Sequence, residues 1–229
     1  MDVKIIPILR DNYAYIIQSG GQVGVIDPGE SQPIVDYLDS HGLKIHWVIN
    51  THKHLDHTSG NEDLIRKYHA KLAAPAECGR ADKLLQAENK FVFGDIEFEV
   101  INTPGHTAGH IILFDPTYRV LFAGDTLFAM GCGRVMEGTM EEMYDSMQKI
   151  KSLPPETAIY CGHEYTATNI NFTKKILPHN LKVFERSSQL YDVSCTMPTT
   201  LADELSTNPF LLASDVEEFG EYRKAKDNF

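Results

Sequence analysis

The stretch Thr51-His52-Lys53-His54-Leu55-Asp56-His57 constrains this chain more than any other. It follows an apolar run, Ile45–Ile49, which is short, β-branched and aromatic and so reads as a buried strand. If the chain stays extended, the rings of His52 and His54 face the same side. Asp56 and His57 arrive where the chain must turn, because Thr58-Ser59-Gly60-Asn61 carries helix-start residues. Imidazole nitrogen and carboxylate oxygen are the usual ligands of zinc and of first-row metals of similar hardness. A lone histidine in such a loop is ordinarily an unremarkable polar residue. Three histidines and an aspartate within six residues point instead to a metal site.

The rest of the chain supplies a frame for that site. Val3–Ile8, Tyr13–Gln18 and Val23–Ile26 read as an antiparallel meander, stopped by Asp27-Pro28-Gly29. Ser31–Ser40 and Glu62–His69 have helical apolar spacing, and Lys71–Ala74 reads as a brief strand. A further helix is expected over Glu77–Ala87, then a hairpin of Phe91–Phe93 and Ile96–Ile101 about Gly94-Asp95. Ile111–Phe114, Arg119–Ala123 and Ala158–Tyr160 are strands, and Met140–Leu153 is a helix with an acidic first turn. Three strand ends deliver more ligand-type residues: His106, Asp125 and His163. With 52–57 they make five histidines and two aspartates, too many for one four-coordinate ion and suited to two ions sharing a carboxylate. His110 can support this set without ligating, whereas His41, His46, His69 and His179 read as structural or solvent-facing. From Thr166 onward only helical patterns are expected, so a domain boundary is placed near Tyr165, dividing residues 1–165 from 166–229.

Charge and composition narrow the partners. With 21 Lys+Arg against 32 Asp+Glu the formal net charge is −11, which opposes nucleic acid or an anionic membrane as the main partner. No apolar run approaches the roughly 18–20 residues of a membrane helix. The N-terminus enters a strand without a signal-peptide pattern, so a cytoplasmic location is expected. Cys78, Cys132, Cys161 and Cys195 are widely spaced and read as reduced thiols. An anionic substrate would need local positive charge, which Arg134 and the group Arg223, Lys224 and Lys226 can supply.

The 51–57 motif resembles the THxHxDH signature of the metallo-β-lactamase superfamily. Thr103-Pro104-Gly105-His106-Thr107, Gly124-Asp125-Thr126 and Cys161-Gly162-His163-Glu164-Tyr165 fall in order at its later ligand positions. More narrowly, the chain is similar to the glyoxalase II family, or hydroxyacylglutathione hydrolases. Asp11-Asn12-Tyr13, Gly131-Cys132-Gly133-Arg134, Glu137-Gly138, Asn208-Pro209-Phe210 and the closing Lys226-Asp227-Asn228-Phe229 carry that likeness. The resemblance implies an α/β fold, an αββα four-layer sandwich of two mixed sheets, with a small all-helical C-terminal domain over the site. It implies that His52, His54 and His106 bind one metal, that Asp56, His57 and His163 bind the other, and that Asp125 bridges them. Zinc is the first choice for both ions, with iron or manganese also suited to the donors. It further implies that Arg134, Tyr165, Arg223 and Lys226 hold glutathione, while Met136 stands where the family usually has a tyrosine.

The expected chemistry is hydrolysis of an S-(2-hydroxyacyl)glutathione thioester, typically S-D-lactoylglutathione, by a water that divalent ions acidify from a pKa of about 15.7 towards roughly 7. Asp56 would orient that nucleophile, making Asp56 and Asp125 the catalytic carboxylates. The thiolate leaves without a strong general acid because thiols are already fairly acidic. The expected partner is this free small molecule, with no nucleic acid or membrane, and the chain is expected to act as a monomer. The competing reaction class within the superfamily is a glutathione persulfide dioxygenase, which keeps one iron on two histidines and an aspartate. The full ligand set and the helical tail oppose it. Lactamase or nuclease activity is opposed by the missing signal peptide and the acidic charge, and a closed structural site would need only four ligands.

Overall fold

The computed structural model describes residues 1–87 and 89–229. One mixed sheet runs in chain order through β1 (Asp2–Ile8), β2 (Asn12–Ser19), β3 (Gln22–Ile26), β4 (Trp47–Ile49), β5 (Lys71–Ala74) and β6 (Lys83–Leu84). The first three strands form the antiparallel meander, with Ile5 opposite Tyr15 and Tyr15 opposite Ile26, and β3 to β6 are parallel. The second sheet contains β7 (Lys90–Phe93), β8 (Ile96–Asn102), β9 (Ile111–Asp115) and β10 (Val120–Gly124). A small hairpin of β11 (Leu127–Phe128) and β12 (Gly131–Cys132) follows it. Strand β13 (Ala158–Cys161) lies parallel to β10, and β14 (Thr199–Thr200) pairs antiparallel with β13.

Side-chain alternation decides how these sheets stack. Along β2, Tyr13, Tyr15 and Ile17 point to one face and Ala14 and Ile16 to the other, all buried. Tyr15, Ile17, Ile26 and Ile49 meet Phe91, Phe93, Phe98, Leu113 and Phe122 of the second sheet in a single apolar layer. The opposite face of the first sheet buries Ile16, Val25 and Val48 against Ile34 and Leu38 of α1 (Gln32–Ser40) and Leu64 of α3 (Asn61–Tyr68). Between those helices lies the one-turn α2 (Leu55–Thr58). The outer face of the second sheet presents Ile112, Leu121 and Ile159 to Met143, Met147 and Ile150 of α4 (Met140–Lys151). Four layers result, αββα, because both sheets are apolar on both faces and each needs two covers. Fully burying one such Phe or Ile contributes about 1.5–3 kcal/mol, so neither helical layer is dispensable.

The tail packs on that outer layer. It holds α5 (Thr166–Ile176), α6 (Leu181–Leu190), α7 (Leu201–Thr207), α8 (Pro209–Leu212) and α9 (Val216–Asp227). Phe172, Phe210 and Phe219 join the core beneath α4, and Phe229 rests edge-on against Phe172 at 5.6 Å between ring centres. A buried ion pair, Arg186 to Glu204 at 2.5 Å, ties this region to the sheet edge through Thr199 and to the β11–β12 hairpin through Met130 N. Among the described residues no helix is long and apolar enough to cross a membrane.

Two local expectations fail. Glu77–Ala87 is not helical: a 3-10 turn at Ala76–Cys78 ends at Gly79, whose φ of +87° an α-helix cannot use, and β6 then joins the sheet edge. Glu77 is held instead by side-chain acceptance, as described below. The tail is also not purely helical, since buried, β-branched Thr199 pairs with Ile159 just after Pro198 has interrupted the backbone donors.

Candidate metal centre

The strand ends meet at one rim of the sandwich. Ile111 N donates to Thr51 O at 3.0 Å, joining the two sheets beside the motif, and Gly162 N donates to Gly124 O at 2.9 Å. His52 and His54 leave β4, α2 carries Asp56 and His57, and the loops after β8, β10 and β13 bring His106, Asp125 and His163. Two glycines make this convergence possible. Gly105 has φ of +143°, and a Cβ there would lie 2.7 Å from Met143 of α4. A Cβ on Gly162 would lie 2.2 Å from Asp125 Oδ1 and 2.6 Å from His57 Cε1. Any side chain at either position pushes His106 or His163 away from the cluster.

All seven residues expected as ligands come together, in two groups. His54 Nδ1 lies 3.2 Å from His52 Nε2 and 2.9 Å from His106 Nε2. His163 Nε2 lies 3.4 Å from His57 Nε2 and 3.3 Å from Asp56 Oδ2. Each triad has its three donor atoms within 4.8 Å of one another. Asp125 stands between them: Oδ2 is 3.4 Å from His106 Nε2 and 3.3 Å from His163 Nε2, and Oδ1 is 3.4 Å from His57 Nε2.

The outward atom of most of these side chains is already spoken for. His57 Nδ1 lies 3.2 Å from Asp27 Oδ2, His163 Nδ1 3.0 Å from Asp11 Oδ1, and His106 Nδ1 2.9 Å from the Arg134 carbonyl. Thr51 Oγ1 donates to Asp27 Oδ2 at 2.6 Å and so accepts from His52 Nδ1 at 3.0 Å. These bonds assign the imidazole hydrogen outward and leave lone pairs on four inward Nε2 atoms. Lone pairs 2.9–3.4 Å apart repel unless a proton or cation lies among them. Asp125 Oδ1, buried, makes no hydrogen bond among the described residues. Nitrogen and carboxylate donors with orphaned lone pairs fit divalent cations on both sides of Asp125.

Electrostatics follow the same division. Burial, aided by neighbouring imidazoles, pushes His52 well below the usual histidine range. Burial opposes charge on His57 too, but Asp125 and Asp27 outweigh it and raise that group. A hydrogen bond with His163 holds Asp56 far below the ordinary carboxylate range, with Asn12 Nδ2 donating to its Oδ2 at 3.0 Å. His110 is fully buried, and burial lowers it to about 3. Its Nε2 accepts from Asp125 N at 3.0 Å and its Nδ1 faces Thr103 and Thr126, a supporting position outside both triads.

Beside the cluster opens a cleft of about 480 Å³, lined by His106, Asp125, Phe128, Cys132, Arg134 and Met136 and by the tail. Tyr165, Arg223 and Lys226 line it as well, so the residues expected to bind substrate share one cavity with the metal cluster. The Tyr165 ring stacks on His163 at 4.6 Å. Arg223 is 4% exposed and donates to Cys132 O at 2.8 Å and Asp227 Oδ1 at 2.9 Å.

Reading residues one by one missed several participants. Asp27 was legible only as a strand stop, although its carboxylate receives Thr51 N, Thr51 Oγ1 and His57. Glu77 accepts from Thr107 Oγ1 at 2.6 Å and Gly109 N at 2.8 Å, pinning the loop that carries His106.

Known proteins resemble the chain along its whole length. The model of the metallo-β-lactamase superfamily matches residues 8–163, and that of the hydroxyacylglutathione hydrolase C-terminus matches residues 164–229. A hydroxyacylglutathione hydrolase of Pelagibacter ubique is 38% identical over 246 residues, covering 100% of both chains. One of Acidiphilium cryptum is 37% identical, covering 98% of this chain and 95% of its own. Among solved structures, ETHE1 from Myxococcus xanthus superposes with a TM-score of 0.77 at 24% identity, covering 98% of this chain and 90% of its own. TTHA1623 in a di-iron-bound form gives 0.67 at 23% identity, covering 92% of this chain and 100% of its own, and both likenesses speak to the fold.

Proposed function

This chain belongs to the hydroxyacylglutathione hydrolases of the metallo-β-lactamase superfamily, and from that premise we propose how its residues divide the work. The protein is a thioester hydrolase that cleaves S-(2-hydroxyacyl)glutathione, typically S-D-lactoylglutathione, to glutathione and the 2-hydroxy acid, the second step of methylglyoxal detoxification. His52, His54 and His106 hold one divalent cation, Asp56, His57 and His163 hold a second, and Asp125 bridges them. The observation that carries this reading is the single Asp125 carboxylate, within 3.4 Å of imidazole nitrogens from both triads. Zinc suits the mixed nitrogen and oxygen donors, and iron or manganese would also be accepted. When bound, such a pair lowers the pKa of water towards roughly 7 and supplies positive charge where an oxyanion develops.

The chain's own groups do the rest. Asp56, ionised and with its side chain 41% exposed, orients the attacking water, and Asn12 Nδ2 donates to its carboxylate at 3.0 Å. No acid is required at sulfur, because a thiol with a pKa of about 8.5 is a competent leaving group. Arg134, Tyr165, Arg223 and Lys226 receive the carboxylates and backbone of the thiol arm, so that residues 166–229 add two recognition residues to a domain, residues 1–165, that supplies the chemistry and the other two. Metal analysis paired with hydrolysis assays on lactoylglutathione, a lactam and an ester tests this directly. Two ions per chain and thioester-selective turnover are expected, both collapsing in Asp125→Ala. One ion at most in the wild type, or full occupancy and rate in the variant, refutes the assignment.

A further inference from the structure

Three cations line the cleft, and they differ in how far their charge is already spent. Arg223 is committed: besides Cys132 O and Asp227 Oδ1, its guanidinium lies 5.2 Å from the centre of the Phe210 ring. Lys226 lies over Phe172 and Phe229 at 5.1 and 5.4 Å, with Nζ 3.3 Å from Thr168 O. Arg134 is different. Its side chain is 65% exposed, and its ion-pair partner is Asp227, whose Oδ1 lies 3.5 Å from Nε, longer than a good hydrogen bond.

Asp227 therefore serves two arginines through one oxygen. It accepts from Arg223 at 2.9 Å, which anchors it, and it attracts Arg134 through what that anchored oxygen has left. Arg134 lines the cleft, whereas Asp227 is not among its lining residues. Asp227 is itself exposed and reaches Arg134 from outside the cleft lining, so it offers Arg134 the same chemical group that an anionic ligand would offer from the cleft side.

We propose that Asp227 is an internal stand-in for a ligand carboxylate, occupying Arg134 in the free protein and surrendering it when the anionic arm of the substrate enters. This rests on the glutathione-thioester reading above. Binding then exchanges one carboxylate for another at Arg134 and does not add a new ion pair. A thioester whose thiol arm lacks a carboxylate leaves the Arg134–Asp227 pair intact and gains nothing from it. Asp227 is a specificity-tuning residue, acting on affinity through Arg134 and leaving the reacting atoms alone.

Asp227→Asn is the discriminating variant, since the amide oxygen can still accept from Arg223 while the charge is gone. Assayed as the full chain with S-D-lactoylglutathione, it should lower KM about two- to fivefold, the range of one exposed ion pair, with kcat unchanged. Introduced into Arg134→Ala, the same substitution should leave KM where Arg134→Ala alone puts it. A KM that stays or rises in Asp227→Asn overturns the proposal, and so does a fall that persists without Arg134. If the wild type does not turn over lactoylglutathione, the thioesterase reading fails by itself. Calorimetric titration with free glutathione then decides the inference: tighter binding to Asp227→Asn supports it, and equal or absent binding overturns it.

Discussion

The metal cluster and the cleft beside it share His106 and Asp125, yet they are built in opposite ways. In the cluster His52, His57, His106, Asp125 and His163 are each 6% exposed or less; partners behind the four imidazoles bind their outward Nδ1 atoms, and His110 holds the backbone N of Asp125. In the cleft Met136, Phe229 and Tyr165 are 58%, 52% and 38% exposed, and Arg134 has a single long ion pair among the described residues. The difference follows from what each part must do. Coordination tolerates errors of only about 0.2 Å, so the ligands have to be held before a cation arrives. Holding a flexible, charged small molecule needs opposite charge and some freedom of side chains, and a fully packed wall would exclude it.

That contrast breaks most visibly if the supports behind the cluster can be removed without cost. Asp27 is the sharpest choice, because its two oxygens serve Thr51 N, Thr51 Oγ1 and His57 Nδ1 at once. Its φ is +49°, a left-handed position that Asn tolerates nearly as well as Asp, so Asp27→Asn tests charge with little backbone strain. We expect metal affinity at the His57 side to fall about 10- to 100-fold, measured by competition with a chelator. Turnover should recover at excess metal. An unchanged metal titration would mean that the carboxylate behind His57 is packing only.

The same contrast explains how much was legible in the residues alone. Three histidines and an aspartate in six positions are rare enough to announce a metal, and the strand before them, with its β-branched run, is recognisable without context. Asp27 was not recognisable, because Asp-Pro-Gly has a sufficient explanation as a turn and its partners lie 24 and 30 positions away. Glu77 shows the limit differently. Local spacing favoured a helix over Glu77–Ala87, but long-range acceptance from Thr107 and Gly109 competes with it, and Gly79 ends the turn. Thr199 and Thr200 likewise form a strand only because β13 offers an edge. Residues whose chemistry is intrinsic could be read, and residues whose role depends on a distant partner could not.

A second, smaller test concerns charge in the cleft. Burial, with Arg223 beside it, lowers Lys226 to about 8. The ammonium is therefore present below that pH and lost above it, so KM for an anionic thioester should rise about tenfold across the transition, the scale of one charge-assisted hydrogen bond. Lys226→Ala should abolish the rise and show a high KM throughout, while kcat keeps the wild-type profile. The stability consequence has its own sign. A lysine whose folded pKa lies below its unfolded one costs stability at neutral pH, where it is charged in both states, and the cost is relieved as pH climbs from about 8 to 10.5, where only the unfolded chain keeps the proton. A KM flat from neutrality to well above that value would place Lys226 outside substrate recognition.

A smaller effect than at Asp27 or Lys226 is expected at Met136, the residue that departs from the glyoxalase II pattern. Its backbone N donates to Gly105 O at 3.2 Å, so the main chain is fixed to the loop that carries His106, while the side chain stands largely free at the mouth of the cleft. Met136→Tyr restores a hydroxyl there without moving the backbone. One net hydrogen bond is worth about 0.5–1.5 kcal/mol, so KM for lactoylglutathione should fall roughly two- to tenfold with kcat untouched. Steady-state kinetics separates the outcomes. An unchanged KM means the thiol arm passes this position without contact. A changed kcat would be more damaging, because it would carry an effect from an exposed cleft residue through Gly105 into the ligands, and the two regions could no longer be treated as one rigid and one adaptable part.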